Sequence, residues 1–195
     1  IWRICLGGVR ITGKIIPDMT VKHTSLARQP VSPWVKRFAA LLPRHSRVLD
    51  VACGQGRHAL FLASLGHRVE AVDRDVAATG ALREMDGVSV TVCDLESEDW
   101  PYVERCFDAV IVTNYLFRPL LPKLIRSLDR GGLLIYETFM VGNELFGSPR
   151  NPDFLLRENE LLDLIDGHLD PLAFEQGDVF EPRRAKVQRL CARNP

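Results

Sequence analysis

The ten residues from Arg47 to Gly56 constrain the fold of this chain most. Arg47-Val48-Leu49-Asp50-Val51-Ala52-Cys53 reads as a buried strand, and Gly54-Gln55-Gly56 follows at once. A helical stretch carrying Leu60, Phe61 and Leu65 comes next, and Gly66 is placed to end it. Strand, glycine turn and helix in that order open a parallel α/β unit. Glycines at the turn let the backbone approach a ligand with no Cβ in the way. The helix start adds free N–H groups and the positive end of a dipole.

The pattern recurs along the chain. Ser32 can cap, and Pro33 open, a helix running to Leu42 with Trp34, Val35, Phe38 and Leu41 at helical spacing. Arg68 to Asp73 is a second strand, Asp75 caps a helix reaching Met85, and Val88 to Asp94 is a third strand. Phe107 to Thr113 is a fourth strand. Leu120, Leu121, Leu124, Ile125 and Leu128 then form a helix stripe that Gly131-Gly132 ends. Leu133 to Thr138 is a fifth strand, Met140 to Asp153 a loop, and Glu158 to Asp166 a helix. Leu172 to Phe174 and Val187 to Cys191 complete the set as two short strands. Strands alternating with helices predict an α/β sandwich: a mostly parallel seven-stranded sheet with helices on both faces.

The chain has 195 residues, the size of one domain. Its 25 Lys and Arg balance 25 Asp and Glu, so the basic footprint of a nucleic-acid binder is absent. No apolar run approaches the roughly 18 residues that span a bilayer, so no membrane partner is expected. The five cysteines show no CxxC or Cys/His cluster. No metal site or disulfide framework is expected, and scattered thiols point to the cytoplasm. No secretory leader is visible. Residues 1–30 hold five Lys or Arg against one acid, and residues 1–18 have no clean period. Residues 1–29 are therefore set apart as an amino-terminal extension, either a loosely attached tail or a lid, and residues 30–195 form the domain.

Three acids sit where a ligand would meet them. Asp50 precedes the glycine turn, Asp73 ends the second strand and Asp94 ends the third. An acid ending the second strand can accept hydrogen bonds from both ribose hydroxyls. One ending the third can accept from an exocyclic adenine amine. Asp50 can order the turn or hold an ammonium. Gly54-Gln55-Gly56-Arg57-His58-Ala59 also satisfies the dinucleotide pattern GxGxxG/A. That reading lacks the usual apolar residue leading into the glycines and room for a substrate domain.

Asp50-Val51-Ala52-Cys53-Gly54-Gln55-Gly56 resembles the first motif of class I S-adenosylmethionine-dependent methyltransferases. Asp73 matches that family's ribose-binding acid, and Cys93-Asp94-Leu95 its adenine-contacting segment. Cys53-Gly54-Gln55-Gly56-Arg57, with residues 152–160, is most similar to the tellurite-resistance methyltransferase group. The resemblance implies a Rossmann-like, doubly wound fold with an antiparallel strand at the sheet edge. It implies S-adenosylmethionine as cofactor, S-adenosylhomocysteine as product, and a monomer or homodimer acting on a small molecule. Cofactor contacts would come from Asp50, Ala52, Cys53, Gly54, Gln55, Gly56, Arg57, Asp73, Arg74, Asp94, Leu95 and Asn114. Ala52 replaces the family's usual first glycine, so a slightly less tight turn is expected. Thr113-Asn114-Tyr115-Leu116 departs from the Asn-Pro-Pro-Tyr signature of DNA amine methylation.

Acceptor-side candidates are His58, Tyr115, Tyr136, Glu137, Phe146 and Arg150. Strand alternation should aim one of Tyr136 and Glu137 at the site and bury the other. No catalytic constellation is legible. His58 also reads as an exposed first-turn histidine, and Arg183-Arg184 as a solvated hairpin turn. The loop Val141 to Asp153 is long enough to be a lid over the acceptor, with Leu145 and Phe146 at its tip. A nicotinamide-dependent oxidoreductase and a non-catalytic nucleoside-binding domain remain the alternatives.

Overall fold

A computed structural model describes residues 30–103 and 106–195; the extension at 1–29 lies outside the described residues. Seven strands form one sheet: β1 (Arg47–Val51), β2 (Arg68–Asp73), β3 (Val88–Val92), β4 (Phe107–Thr113), β5 (Leu128–Phe139), β6 (Asp170–Val179) and β7 (Ala185–Arg193). Their order across the sheet is β3-β2-β1-β4-β5-β7-β6. Strands β1 to β5 pair in parallel. The antiparallel element expected at this end of the sheet is β7, which runs against both β5 and β6, with β6 outside it. The order reverses between β1 and β4, the place where a doubly wound sheet opens a crevice at its carboxyl edge.

Helices cover both faces because neighbouring strand residues point oppositely. Val48, Ile111 and Ile135 pack with α1 (Pro33–Ala39) and α2 (Arg57–Ser64). Leu49, Val110 and Leu134 face the other layer, with α4 (Leu121–Arg126) and α5 (Glu160–Ile165). Ser32 caps α1 as expected, accepting from the N–H groups of Trp34 and Val35. Trp34 is core, its indole N–H donating to the Leu190 carbonyl at 3.1 Å. Asp75 likewise caps α3 (Val76–Thr79), but the chain then tightens into a 3₁₀ turn at Gly80–Glu84.

Three expectations need correction. The buried face of α2 is His58, Ala59 and Leu62. Leu60 and Phe61 are only partly buried, and Leu65 is exposed. Leu128 belongs to β5, not to the preceding helix, and Gly131-Gly132 lies inside that strand. Gly131 takes φ 78° and its N–H donates to the Asn194 carbonyl, while the Asn194 N–H donates to Gly132. The glycine pair is thus a kink held by the chain end, not a helix stop. Both carboxyl-terminal strands are longer than their apolar patterns, because ladder pairing with β5 and with each other extends them.

Candidate functional site

The glycine turn carries three left-handed residues in alternation: Ala52 at φ 50°, Gly54 at 54° and Gly56 at 72°. A Cβ on Gly56 would lie 2.4 Å from the Leu82 side chain, so packing as well as φ requires glycine there. Ala52 adopts the glycine conformation, at a cost of about 1–2 kcal/mol for an L-residue.

Asp73 ties the turn to β2. Its carboxylate accepts the Gly54 N–H at 2.7 Å and the Asp75 N–H at 2.9 Å. Each oxygen keeps a lone pair for a further donor. Asp73 stands in the wall of a cleft of ≈ 270 Å³ with Ala52, Arg74, Asp94, Leu95 and Tyr115. Glu96 and Phe154 also line it, and sequence reasoning missed both. Phe154 is brought there by a latch. The Arg118 guanidinium grips buried Glu160 through Nε at 2.5 Å and a terminal nitrogen at 3.0 Å, and reaches the Asp153 and Leu155 carbonyls. Burial alone would raise the Glu160 pKa, but hydrogen bonds from Arg118 and the Arg157 backbone outweigh it and hold the carboxyl low.

Asp50 does not line these clefts. It is 1% exposed beneath the turn, and one oxygen accepts the Ala59 N–H at 3.0 Å. The other oxygen has no hydrogen-bond partner among the described residues. Burial pushes its carboxyl up to about 7. Cys53, Gln55 and the two turn glycines likewise stay out of the walls, building the turn rather than the cleft.

His58 is neither exposed nor aimed at a cleft. It is 2% exposed, and its Nε2 accepts from the Ser32 N–H and from the Arg57 Nε, both at 3.2 Å. Nδ1 therefore carries the proton and meets the Thr113 hydroxyl at 3.2 Å. Burial, with Arg57 beside it, lowers its pKa to about 3. The neutral ring is a strut joining the start of α1, the start of α2 and the end of β4.

A second cleft of ≈ 260 Å³ opens on the other side of β4. Asn114, Glu137 and Arg57 line it, joined by Lys36, Phe139 and Arg189. Glu137 accepts from Arg189 Nε at 2.5 Å. Alternation works as expected at β5. Tyr136 is 1% exposed in the core, and its hydroxyl donates to the Tyr115 carbonyl. That removes Tyr136 from the acceptor side. A small third cleft joins the other two, sharing Tyr115, Phe154 and Glu96 with the first and Asn114 and Phe139 with the second.

Phe146 and Arg150 line none of these clefts. The Phe146 ring lies 4.2 Å beneath Arg184, and Arg183 covers Phe139 at 5.6 Å. The hairpin arginines are therefore stacked, not merely solvated. The loop is also tied down, since buried Asn143 accepts from the Lys186 N–H and donates to the Pro149 carbonyl. Among the described residues, no helix is long and apolar enough to cross a membrane.

A family model described as a methyltransferase domain matches residues 48–132. The chain is 32% identical over 122 residues to a tRNA U34 carboxymethyltransferase of Methylococcus capsulatus, covering 57% of this chain and 38% of that protein. It is 26% identical over 135 residues to a probable S-adenosyl-L-methionine-dependent methyltransferase, TehB, of Haemophilus influenzae, covering 63% and 46%. The chain thus spans less than half the length of these curated relatives. In structure, TehB from H. influenzae superposes with TM-score 0.71 at 20% identity, over 85% of this chain and 63% of that one. The N-methyltransferase NodS of Bradyrhizobium japonicum gives 0.65 at 17% identity, over 83% and 92%. At such identities the likeness is one of fold.

Proposed function

We propose that this protein is a class I S-adenosylmethionine-dependent methyltransferase that transfers a methyl group to a small-molecule acceptor, a reading supported by the methyltransferase-domain match over residues 48–132. The observation that carries the reading is Asp73, gripping Gly54 at 2.7 Å while its carboxylate faces a nucleoside-sized cleft.

The chain's residues fit the cofactor. A Cβ on Gly54 would meet nothing within 4 Å, so the turn leaves open space beside it. Asp73 would hold the ribose hydroxyls, and Asp94, with the Leu95 backbone, the adenine edge. Arg74 lies 4.0 Å from Asp94 at the outer rim. Tyr115 and Phe154 would shut water out where the first and third clefts meet. Asn114 and Arg57 would receive the amino-acid end, and Cys53, Gln55 and Gly56 would keep the turn in shape. Once bound, the cofactor supplies an electrophilic methyl on a sulfonium. The protein's part is to align the acceptor with it.

Glu137 and Tyr115 are the acceptor-side residues we retain. His58 and Tyr136 act by positioning. Phe146 and Arg150 would act only if the loop rearranged around an acceptor. The methyltransferase unit is taken as residues 30–195, working in the cytoplasm as a monomer or homodimer. One relative's name points to tRNA, but balanced charge gives this chain no phosphate-binding excess. Thermal-shift measurement with S-adenosylhomocysteine, S-adenosylmethionine and NAD side by side tests the reading. A ligand at 100 times its Kd adds about 2.7 kcal/mol. Stabilisation by NAD alone would transfer the site to the oxidoreductase reading.

A further inference from the structure

Apart from Arg57 and Asn114, the second cleft is lined by residues to which the cofactor reading gives no part. Its walls hold four cations, Lys36, Arg57, Arg183 and Arg189, against two acids, Glu137 and Glu181. Glu137 is engaged by Arg189, which also approaches Glu175 at 3.7 Å. Between the charges the wall is apolar, formed by Val31, Pro33, Phe139, Val179 and Val187. An apolar lining with a few convergent charges is the usual make-up of a small-molecule site.

Proton acceptors are scarce there. His58 has both ring nitrogens committed beneath the floor. Glu137 is held in its ion pair, and Glu181 stands exposed on the hairpin. A neutral hydroxyl or amine must shed a proton when it is methylated. An acid that arrives ionised has none to shed.

Resting on the methyltransferase reading, we propose that this cleft receives the acceptor and that the acceptor is a small organic acid. Its apolar body lies against Phe139, Val179 and Val187, and its ionised oxygen is steered by the surrounding cations toward Asn114, where the clefts meet. An oxygen lone pair of the carboxylate forms the new bond to the methyl carbon. The carbon–sulfur bond breaks and its electron pair returns to sulfur. The anion and the sulfonium cation neutralise each other, and no proton moves.

Calorimetric titration of the protein saturated with S-adenosylhomocysteine tests this. The probes are benzoate, phenylacetate and hexanoate, with benzamide, benzylamine and inorganic phosphate beside them. At least one carboxylate is expected to bind ten-fold or more tighter than benzamide, benzylamine or phosphate. Lys36→Gln and Arg183→Gln should each cut that preference several-fold. These are exposed positions, so both variants should fold, and a melting curve checks it. Equal or tighter binding of the amide or amine, no binding of any carboxylate, or a preference unmoved in both variants would overturn the acceptor class. Phosphate binding as tightly as the carboxylates would overturn the apolar body. Failure of S-adenosylhomocysteine itself to bind, measured first, would instead overturn the methyltransferase reading beneath it.

Discussion

Two clefts lie along the carboxyl edge of the sheet, nearly equal in volume at ≈ 270 and ≈ 260 Å³ and opposite in charge. The first is acidic, with Asp73, Asp94 and Glu96 against Arg74. The second is basic, with Lys36, Arg57, Arg183 and Arg189 against Glu137 and Glu181. Every wall residue of the acidic cleft except Phe154 falls within the matched stretch 48–132. In the basic cleft only Arg57 and Asn114 do so. The acidic cleft, where we propose that the cofactor's nucleoside binds, thus lies almost wholly in the stretch matched by the methyltransferase-domain model. The basic cleft is built mostly outside that stretch, from residues 30–36 and 137–189.

The comparison breaks most sharply at Arg118, which holds the outlying wall residue Phe154 in place. Arg118→Met would leave Glu160, 1% exposed, with only Arg157 to balance it. Removing one partner of a buried ion pair costs about 3–5 kcal/mol, and the remaining arginine puts the expectation near 3. Urea unfolding measures it. A loss under about 1 kcal/mol would show that the latch does not hold that wall.

The strut and the carboxyl beneath the turn sharpen the comparison through pH. His58 titrates near 3 in the fold against an ordinary 6.5. Its contribution is full above about pH 6.5 and is lost as pH falls toward 3, by up to about 1.4 kcal/mol per unit. Asp50 titrates near 7 against an ordinary 3.8. Its contribution is full below about pH 4 and is lost as pH rises through 7. Between pH 4.5 and 6.5 the two oppose each other. Asp50→Asn should therefore gain stability as pH rises across that window, and His58→Gln should lose it, by about 2 kcal/mol each. Parallel slopes for the two variants would contradict the assignment.

The clefts were unequally legible in the sequence. Strands β2 and β4 run as the sequence predicts, Arg68–Asp73 and Phe107–Thr113, because Val69, Ala71 and Val72 in the one and Ala109 to Val112 in the other mark strands buried on both faces. The acidic cleft follows directly, since Asp73 and Asp94 lie at or just past strand ends. Tyr136 and Glu137 divide by simple alternation. The basic cleft had no such signal. Its walls come from α1, α2, β5 and the β6–β7 hairpin, and β6 is mostly exposed, so its sequence shows no buried face. His58 reads as a surface residue until Ser32 and Thr113 close over it, and neither partner is near it in sequence. Phe154 depends in the same way on the distant pair Arg118 and Glu160.

The smallest effect is expected at the turn itself. Ala52→Gly removes about 1–2 kcal/mol of left-handed strain and gives back about 0.5–1 kcal/mol of chain entropy. A net gain of about 0.5 kcal/mol in thermal or urea unfolding is expected. A clear loss would mean that the methyl group of Ala52 packs usefully in the cleft wall.

The central claim is that the cofactor's nucleoside occupies the acidic cleft and not the basic one. Isothermal titration of S-adenosylhomocysteine into the wild-type chain, Asp73→Asn and Lys36→Gln tests it most directly. The account predicts at least ten-fold weaker binding for Asp73→Asn, about 1.4 kcal/mol or more, and an affinity within about two-fold of wild type for Lys36→Gln. Unchanged affinity in Asp73→Asn, or a loss confined to Lys36→Gln, would contradict it.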